Sequence, residues 1–133
     1  LDCMKIGNID AKRDWGFAGD YVEAMWKILN YKKPDDFVIS TNSHLTIKQF
    51  INLVSKKLNY PLKWKWTGIN ETAYNKKGYP VIKISKRYFR PLEVANLKGD
   101  YSKAKKYLNW RPKKKLTHLI DDMISYELKA NGK

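Results

Sequence analysis

The order of hydrophobic periodicities along the chain is the feature that most constrains its fold. Segments with a helical period alternate with short segments of strand character, in the order helix, strand, helix, strand, loop, strand, helix, helix. This order predicts a mixed α/β fold. Because the strands are few, we expect only a small sheet, and therefore an appended lobe more than a complete nucleotide-binding fold.

Four segments carry the helical period, at residues 18–31, 47–58, 101–108 and 116–128. Thr46 and Gln49 have the spacing of a capping box at the start of the second helix, and Asp100 is a suitable cap for the third. The residues predicted to face the core of the first and last helices are Tyr21, Val22, Met25, Trp26 and Leu29, and Leu116, Leu119, Ile120, Met123 and Ile124. Those of the second helix are Ile47, Phe50, Ile51, Val54 and Leu58.

Three segments have strand character. Residues 37–41 (FVIST) form a short apolar run that predicts a buried strand. Residues 62–67 (LKWKWT) alternate, so that Leu62, Trp64 and Trp66 would face the core and Lys63 and Lys65 the other side. Residues 81–85 (VIKIS) alternate in the same way, and the polar stretch 68–80 between them predicts a loop.

The charge of the chain is strongly basic. It has 27 Lys and Arg against 13 Asp and Glu, a formal net charge of +14. Such a balance predicts attraction to anions, namely phosphates, nucleic acid or a membrane surface. The alternative is that the lysines, which are scattered along the chain, are only solvated.

The chain carries few signals of location or of further segments. Cys3 is the single cysteine, and with no signal-like segment it predicts a reducing, cytoplasmic setting. No apolar run approaches the roughly 20 residues of a membrane helix. The chain begins at Leu1 without an initiator Met, which suggests a piece of a longer protein, and we expect one domain over residues 1–133.

Several patterns that suggest catalysis have simpler interpretations. Tyr101 and Lys105 have the Tyr-x-x-x-Lys spacing of short-chain dehydrogenases, but no Gly-rich turn precedes them, so a solvated helix explains them. Residues 16–19 (GFAG) lack the G-x-G-x-x-G pattern that binds dinucleotides. His44 and His118 are isolated. We predict no catalytic, cofactor-binding or metal-binding residue in this chain.

Two arginines stand in a different context. Arg13 precedes the first helix within KRDWG, and Arg90 follows the last strand within YFRPLEV, each beside aromatic residues and a stiffening residue. The planar fork of Arg donors suits phosphate groups, and Glu93 could accept from ribose hydroxyls or a nucleobase. The alternative is an internal salt bridge of each arginine, with Asp14 or with Glu93.

The blocks that contain these arginines resemble one enzyme family. Residues 7–22 (GNIDAKRDWGFAGDYV), 34–39 (PDDFVI), 88–94 (YFRPLEV), 99–105 (GDYSKAK) and 108–112 (LNWRP) are similar, in order and spacing, to segments of GDP-mannose 4,6-dehydratases. These enzymes are extended short-chain dehydrogenase/reductases that act on nucleotide sugars. The resemblance covers nearly the whole chain, and its RDWG and YFRP-x-EV motifs together are specific.

The resemblance implies that the chain is the C-terminal GDP-sugar-binding lobe of such an enzyme, without its Rossmann half. The family is a lyase that converts GDP-mannose to GDP-4-dehydro-6-deoxy-mannose through an internal redox cycle on bound NADP. Hydride leaves C4, water is lost across C5 and C6, and hydride returns at C6. The missing half would bind NADP and supply the catalytic groups. The chain alone would then be inactive, and the full-length protein a homo-oligomer.

The same resemblance assigns roles and leaves alternatives. Arg13 and Arg90 would contact the diphosphate or its neighbouring ribose, and Glu93 would hold a ribose hydroxyl or orient the guanosine. Ser43, Ala95 and Asn109 depart from the Glu, Asp and Gly that are frequent in the family. A related GDP-sugar reductase or epimerase, and a remnant without a ligand, remain alternatives.

A further alternative is a single-stranded nucleic-acid module, in which Trp64 and Trp66 stack bases beside Lys63 and Lys65. We expect neither nucleic acid nor membrane as a partner, because the strand alternation explains both tryptophans as core residues.

Overall fold

The chain divides into two compact units. A computed structural model describes residues 3–90, 94 and 96–132. Unit 1 contains Leu1–Lys12 and Thr46–Asn96, and unit 2 contains Arg13–Leu45 and Leu97–Lys133. The helices are α1 (Ala18–Leu29), α2 (Ile47–Lys57), α3 (Ser102–Leu108) and α4 (Leu116–Ala130), at the four predicted places. The strands are β1 (Met4–Ile6), β2 (Lys12–Arg13), β3 (Leu45–Thr46), β4 (Lys63–Lys65), β5 (Thr72–Tyr74) and β6 (Pro80–Ile84).

A four-stranded sheet forms the body of unit 1, in the order β1-β6-β5-β4, while β2 and β3 form a separate two-stranded sheet. β1 runs parallel to β6, and the β6–β5 and β5–β4 pairs are antiparallel. β5 lies inside the stretch 68–80 that was predicted to be a loop, so that prediction is wrong there. Its three residues follow a short 3₁₀ turn at Gly68–Asn70, and so short a strand leaves no periodic pattern.

One face of this sheet packs against α2. Trp64, Ala73 and Ile82 stand side by side on β4, β5 and β6, and Ala73 is completely buried. The Trp64 indole N–H donates to Asn52 Oδ1 on α2 at 2.8 Å, and the Lys48 ammonium lies 5.1 Å from the centre of the Trp64 ring. This inner face therefore contains the core of unit 1.

The start of α2 is fixed by the predicted capping box. The Gln49 N–H donates to Thr46 Oγ1 at 3.0 Å, and the Thr46 N–H donates to Gln49 Oε1 at 2.8 Å. The N–H groups of Ile47 and Lys48 donate to the carbonyls of Ala11 and Ile9. Four N–H groups at the helix start thus have partners, which joins α2 to the segment that follows β1.

Trp110 lies at the centre of unit 2. It is 1% exposed and packs in a buried cluster with Ala24 of α1 and Ala104 and Leu108 of α3. The Tyr101 ring meets the Trp110 ring edge-on at 5.9 Å between centroids. Asn109, which links α3 to Trp110, has a φ of 47° and closes the helix in the left-handed conformation. Asn tolerates this conformation better than other non-glycine residues, which explains why it can stand where the family often has Gly.

The strand predicted at residues 37–41 is absent, so this prediction is wrong. Phe37 and Ile39 do pack on the core of unit 2, but Val38 is 54% exposed. Within the described residues no strand pairs with this segment, and the Thr41 N–H donates to the Asp14 carboxylate instead. A strand exists only through a ladder with a neighbour, which the sequence of the segment itself cannot supply.

The buried face predicted for α1 is also wrong in large part. Val22, Met25, Trp26 and Leu29 form a stripe that is 61–80% exposed, which we call the α1 stripe. Tyr21 does pack on the core as predicted, but its neighbours there are Ala24 and Ile28. The helix is apolar on more than one side, so the helical period alone could not tell which side is covered. Leu58, Trp66 and Met123 are likewise exposed, although we predicted them to be buried.

We predict that Trp110→Ala lowers the free energy of unfolding by about 3–5 kcal/mol, because it removes a fully buried indole and leaves a cavity. Urea denaturation followed by circular dichroism measures this. Tyr107→Ala is the matched control on the adjoining helix, because Tyr107 is 50% exposed, and we expect a change within about 0.5 kcal/mol. Equal effects of the two substitutions would contradict the central role of Trp110.

We predict that the α1 stripe drives association of the isolated chain, because contiguous exposed apolar side chains are a typical interaction surface. Met25→Lys/Leu29→Lys should shift sedimentation velocity profiles toward the monomer without lowering the melting temperature. Tyr107→Lys/Tyr126→Lys is the control, since it adds the same charge at other exposed sites. An unchanged profile in the α1 variant would refute the prediction.

Candidate functional site

Arg90 extends from a tight turn at the end of β6. The N–H groups of Tyr88 and Phe89 both donate to the Ser85 carbonyl at 3.0 Å, and the Ser85 N–H donates to the Ile6 carbonyl at 2.8 Å. The Arg90 side chain is exposed, whereas that of Phe89 is half-buried. These backbone hydrogen bonds fix the turn from which the exposed Arg90 guanidinium extends.

A glycine allows this turn to lie against β1. A Cβ atom on Gly7 would lie 2.4 Å from the Tyr88 carbonyl oxygen, closer than any side chain can approach. The Tyr88 backbone therefore fits only beside a glycine, and any larger residue at this position would move the segment that leads to Arg90.

Arg13 is the second residue of β2 and is half-buried. The residue before it, Lys12, pairs in parallel with Asn96. Asn96 is three residues beyond Glu93, so the segment that follows the YFRPLEV motif pairs with the strand that leads into RDWG. Arg13 itself belongs to unit 2 and Arg90 to unit 1.

The residue after Arg13 fixes the RDWG loop. Both carboxylate oxygens of Asp14 lie 3.0 Å from the Thr41 N–H, and the Tyr21 hydroxyl also donates to Asp14. Burial, followed by the negative charge of Asp14 and this hydrogen bond, raises the pKa of Tyr21 above its ordinary value. Asp14 thus joins the loop to α1 and to the segment 37–41.

The glycines of this loop make room for aromatic rings and not for phosphate. A Cβ atom on Gly16 would lie 2.2 Å from the Tyr21 hydroxyl oxygen, and one on Gly19 would lie 2.4 Å from the Phe17 ring. A dinucleotide cradle needs free space beside its glycines for the pyrophosphate. Residues 16–19 therefore do not fit NADP, in agreement with their sequence pattern.

Unit 2 contains a cavity of about 330 Å³ that the sequence did not predict. Its wall carries three ammonium groups, an imidazole and two hydroxyls, and none of its lining residues is a carboxylate. The lining residues are Trp15, Thr41, Ser43, His44, Leu45, Pro112, Lys113, Lys114, Lys115 and Leu116. Two blocks noted in the sequence contribute to this lining, RDWG through Trp15 and NWRP through Pro112.

Buried Asp20 of α1 holds the lysine-rich wall of this cavity. Its Oδ2 atom accepts the N–H groups of Lys113 at 2.8 Å and of Lys114 at 3.0 Å. The Lys113 ammonium pairs with Glu23 and lowers the pKa of that carboxyl, while Lys114 pairs with Asp122. Two of the three ammonium groups are thus already neutralised by carboxylates.

The other residues weighed in the sequence have structural positions. Tyr101 packs on Trp110, while Lys105 is exposed on α3. Glu93, with Pro91, Leu92 and Ala95, lies outside the described residues. Asp35 pairs with Lys103 at 2.6 Å, and this hydrogen bond lowers the pKa of Asp35.

Two features are absent from the described residues. No group of three or more His, Cys, Asp or Glu among them could hold a metal ion. No helix in residues 3–90 and 96–132 is long and apolar enough to cross a membrane.

Comparison with solved structures confirms the small mixed α/β fold. UDP-glucose 4-epimerase of Thermotoga maritima, solved with UDP-glucose, superposes with a TM-score of 0.72 over 97% of this chain and 36% of its own, at 23% identity. At this identity the likeness concerns the fold alone.

Comparison with sequences gives the family. The family model described as GDP-mannose 4,6 dehydratase matches residues 1–123. GDP-mannose 4,6 dehydratase 1 of Arabidopsis thaliana is 45% identical over 92% of this chain and 30% of its own length. GDP-mannose 4,6 dehydratase 2 of Caenorhabditis elegans is 40% identical over 94% of this chain and 33% of its own. The chain spans about a third of these relatives, and it belongs to the GDP-mannose 4,6 dehydratase family.

Proposed function

We propose that this chain is the C-terminal, GDP-sugar-binding part of a GDP-mannose 4,6-dehydratase. The observation that carries the proposal is Arg90, an exposed guanidinium held on a hydrogen-bonded turn within the family's YFRP-x-EV motif. The substrate is GDP-mannose, and the product is GDP-4-dehydro-6-deoxy-mannose. In this proposal the chain binds and orients the nucleotide, while the chemistry belongs to the part of the family's length that it lacks.

Each arginine is proposed to contact the diphosphate or its neighbouring ribose. An Arg fork donates two parallel hydrogen bonds to phosphate oxygens without losing its charge. Arg90 is exposed, so its guanidinium stays hydrated until the nucleotide binds. Arg13 is half-buried, and the hydrogen-bonded RDWG loop holds it in place. Glu93 accepts from a ribose hydroxyl or from the guanine, as its place in the motif predicts.

In this proposal NADP is bound by the part of the family's length that this chain lacks. Two features of unit 2 support this assignment: the exposed α1 stripe and the extended apolar segment 37–41. A sheet placed beside residues 37–41 would pair with their backbone and supply the ladder that the segment lacks. The same sheet would cover apolar side chains of α1. The chain alone is then catalytically inactive.

We infer a cytoplasmic location and a homo-oligomeric full-length lyase. The free thiol of Cys3 is partly accessible, which suits a reducing compartment. The oligomer follows from the family resemblance.

We predict that Arg90→Ala weakens GDP-mannose binding about 10- to 100-fold, because a charged hydrogen-bonding group is worth about 1.5–3 kcal/mol. The measurement is isothermal titration calorimetry on this chain joined to the upstream two-thirds of the Arabidopsis relative. Arg87→Ala is the matched control: it removes the same charge three residues earlier, where the guanidinium lies 5.9 Å from the Tyr88 ring centre. The control should bind as the parent does.

Unchanged affinity after Arg90→Ala would show that the assigned role is wrong. A loss of equal size in both variants would mean that general positive charge, and not a specific contact, attracts the nucleotide. Conversion of GDP-mannose followed by mass spectrometry separates dehydration, which removes the mass of one water, from epimerisation, which leaves the mass unchanged.

A further inference from the structure

Three lysines stand in one row on the outer face of the sheet in unit 1. Lys5 of β1 lies directly opposite Lys83 of β6, Lys83 opposite Thr72 of β5, and Thr72 opposite Lys65 of β4. Residues that are opposite in a sheet point to the same side. This row therefore runs across all four strands on the side away from α2, with Thr72 buried between the exposed lysines.

The row is electrostatically unfavourable as it stands. Like charges directly opposite each other destabilise a sheet, yet Lys5 and Lys83 are such a pair. Among the ion pairs of the described residues, none involves Lys5, Lys65 or Lys83, and all three are exposed. Unit 1 as a whole contains 13 Lys and Arg against four Asp and Glu. The positive charge of this face is thus available to an anionic ligand.

Trp66 has an unusual backbone at the end of β4. Its φ is 61°, in the left-handed region that bulky residues rarely adopt. A continued strand would have placed Trp66 on the inner face with Trp64, as the sequence predicted. The left-handed turn ends the strand instead, and the Trp66 side chain is 62% exposed. Strain of this kind in a large apolar residue at the surface is typical of a functional position.

The Trp66 ring lies beside a second aromatic ring on the outer face. Tyr74 is directly opposite Lys63, and its ring centre is 5.8 Å from that of Trp66. The Lys65 ammonium lies 5.2 Å from the centre of the Tyr74 ring. Lys63 and Lys65 therefore border an aromatic pair. We call Lys5, Lys63, Lys65, Lys83, Trp66 and Tyr74 the outer lysine face.

We propose that the outer lysine face binds single-stranded nucleic acid, contrary to the expectation from the strand alternation, because Trp66 is exposed and not in the core. At ordinary strand spacing the row from Lys5 to Lys65 spans about 14 Å, which lets several successive phosphates meet an ammonium group. Trp66 and Tyr74 offer rings on which unpaired bases stack. A four-stranded sheet with aromatic side chains on its open face is a known way of holding unpaired RNA.

The arrangement favours a single strand over the other polyanions. The bases of a duplex are already stacked and cannot reach Trp66. A membrane surface is bound through a broad apolar face with charges around it, whereas here the aromatic pair is small and the Lys65 ammonium lies over its Tyr74 ring. This site is separate from the proposed GDP-sugar function, since it uses neither Arg13 nor Arg90.

The test is fluorescence anisotropy of a labelled 12-nucleotide oligouridylate titrated with the full chain at several salt concentrations. We expect micromolar binding at low salt that falls steeply as salt rises. The same sequence as a duplex, and vesicles containing 30% phosphatidylserine, are titrated in parallel and should bind more weakly.

Trp66→Gly tests the aromatic contribution. Glycine adopts a positive φ without strain, so the fold should be kept, and circular dichroism checks this. Loss of one stacking ring should weaken binding about tenfold. The salt dependence should remain unchanged, because no charge is removed.

Lys5→Gln/Lys83→Gln tests the charge row. Each lysine that neutralises a phosphate contributes about 0.7 to the salt slope of single-strand binding, so the slope should fall by about 1.4. Lys56→Gln/Lys57→Gln is the matched control, because these lysines lie on α2, which packs against the opposite face of the sheet. The control should keep the slope of the parent.

Three results would overturn the proposal. They are no anisotropy change at low salt, equal effects of the two double variants on the slope, and full binding by a folded Trp66→Gly variant. Binding to the vesicles without binding to the oligonucleotide would also reject it in favour of a membrane surface.

Discussion

The carboxylate of Asp20 and the carbonyl of the same residue hold unit 2 together. The carbonyl accepts the Trp110 indole N–H at 2.8 Å, and the carboxylate accepts the N–H groups of Lys113 and Lys114. A buried carboxylate is costly unless such hydrogen bonds replace its water. The first turn of α1, Trp110 and the approach to α4 are therefore fixed at one point. The cavity wall and the packing of Trp110 both depend on it.

The family motifs contain more structural residues than ligand-binding ones. Within RDWG, Asp14 joins two segments and Gly16 makes room for the Tyr21 hydroxyl. Gly7 plays the same part for the Tyr88 backbone, which leads to Arg90. Each arginine is thus preceded or followed by residues whose contacts limit how far its backbone can move. Such preorganisation would reduce the entropy lost in the proposed binding of a phosphate.

The unusual features of each unit have different physical explanations. In unit 2 the α1 stripe is exposed and the segment 37–41 pairs with no strand of the described residues. In unit 1 the outer lysine face opposes like charges and contains the strained Trp66. A missing layer does not account for strain at an exposed residue or for a row of lysines. Four of the 27 Lys and Arg side chains are thus gathered on one face of one sheet, while the others are distributed over the rest of the chain.

The sequence by itself determined the four helices, the Thr46–Gln49 capping box, the mixed class and the family, because these depend on local periodicity and on short motifs. Only the tertiary structure decided which apolar side of each element is buried. The α1 stripe, the segment 37–41 and Trp66 had core-like patterns, yet burial and strand pairing depend on neighbours far along the chain or absent from it. The sequence motifs alone indicated Arg13 and Arg90 as candidate binding residues. The contacts that hold them were not indicated, since the close approach of Gly7 to Tyr88 joins residues 81 positions apart and the bond between Asp14 and Thr41 joins residues 27 positions apart.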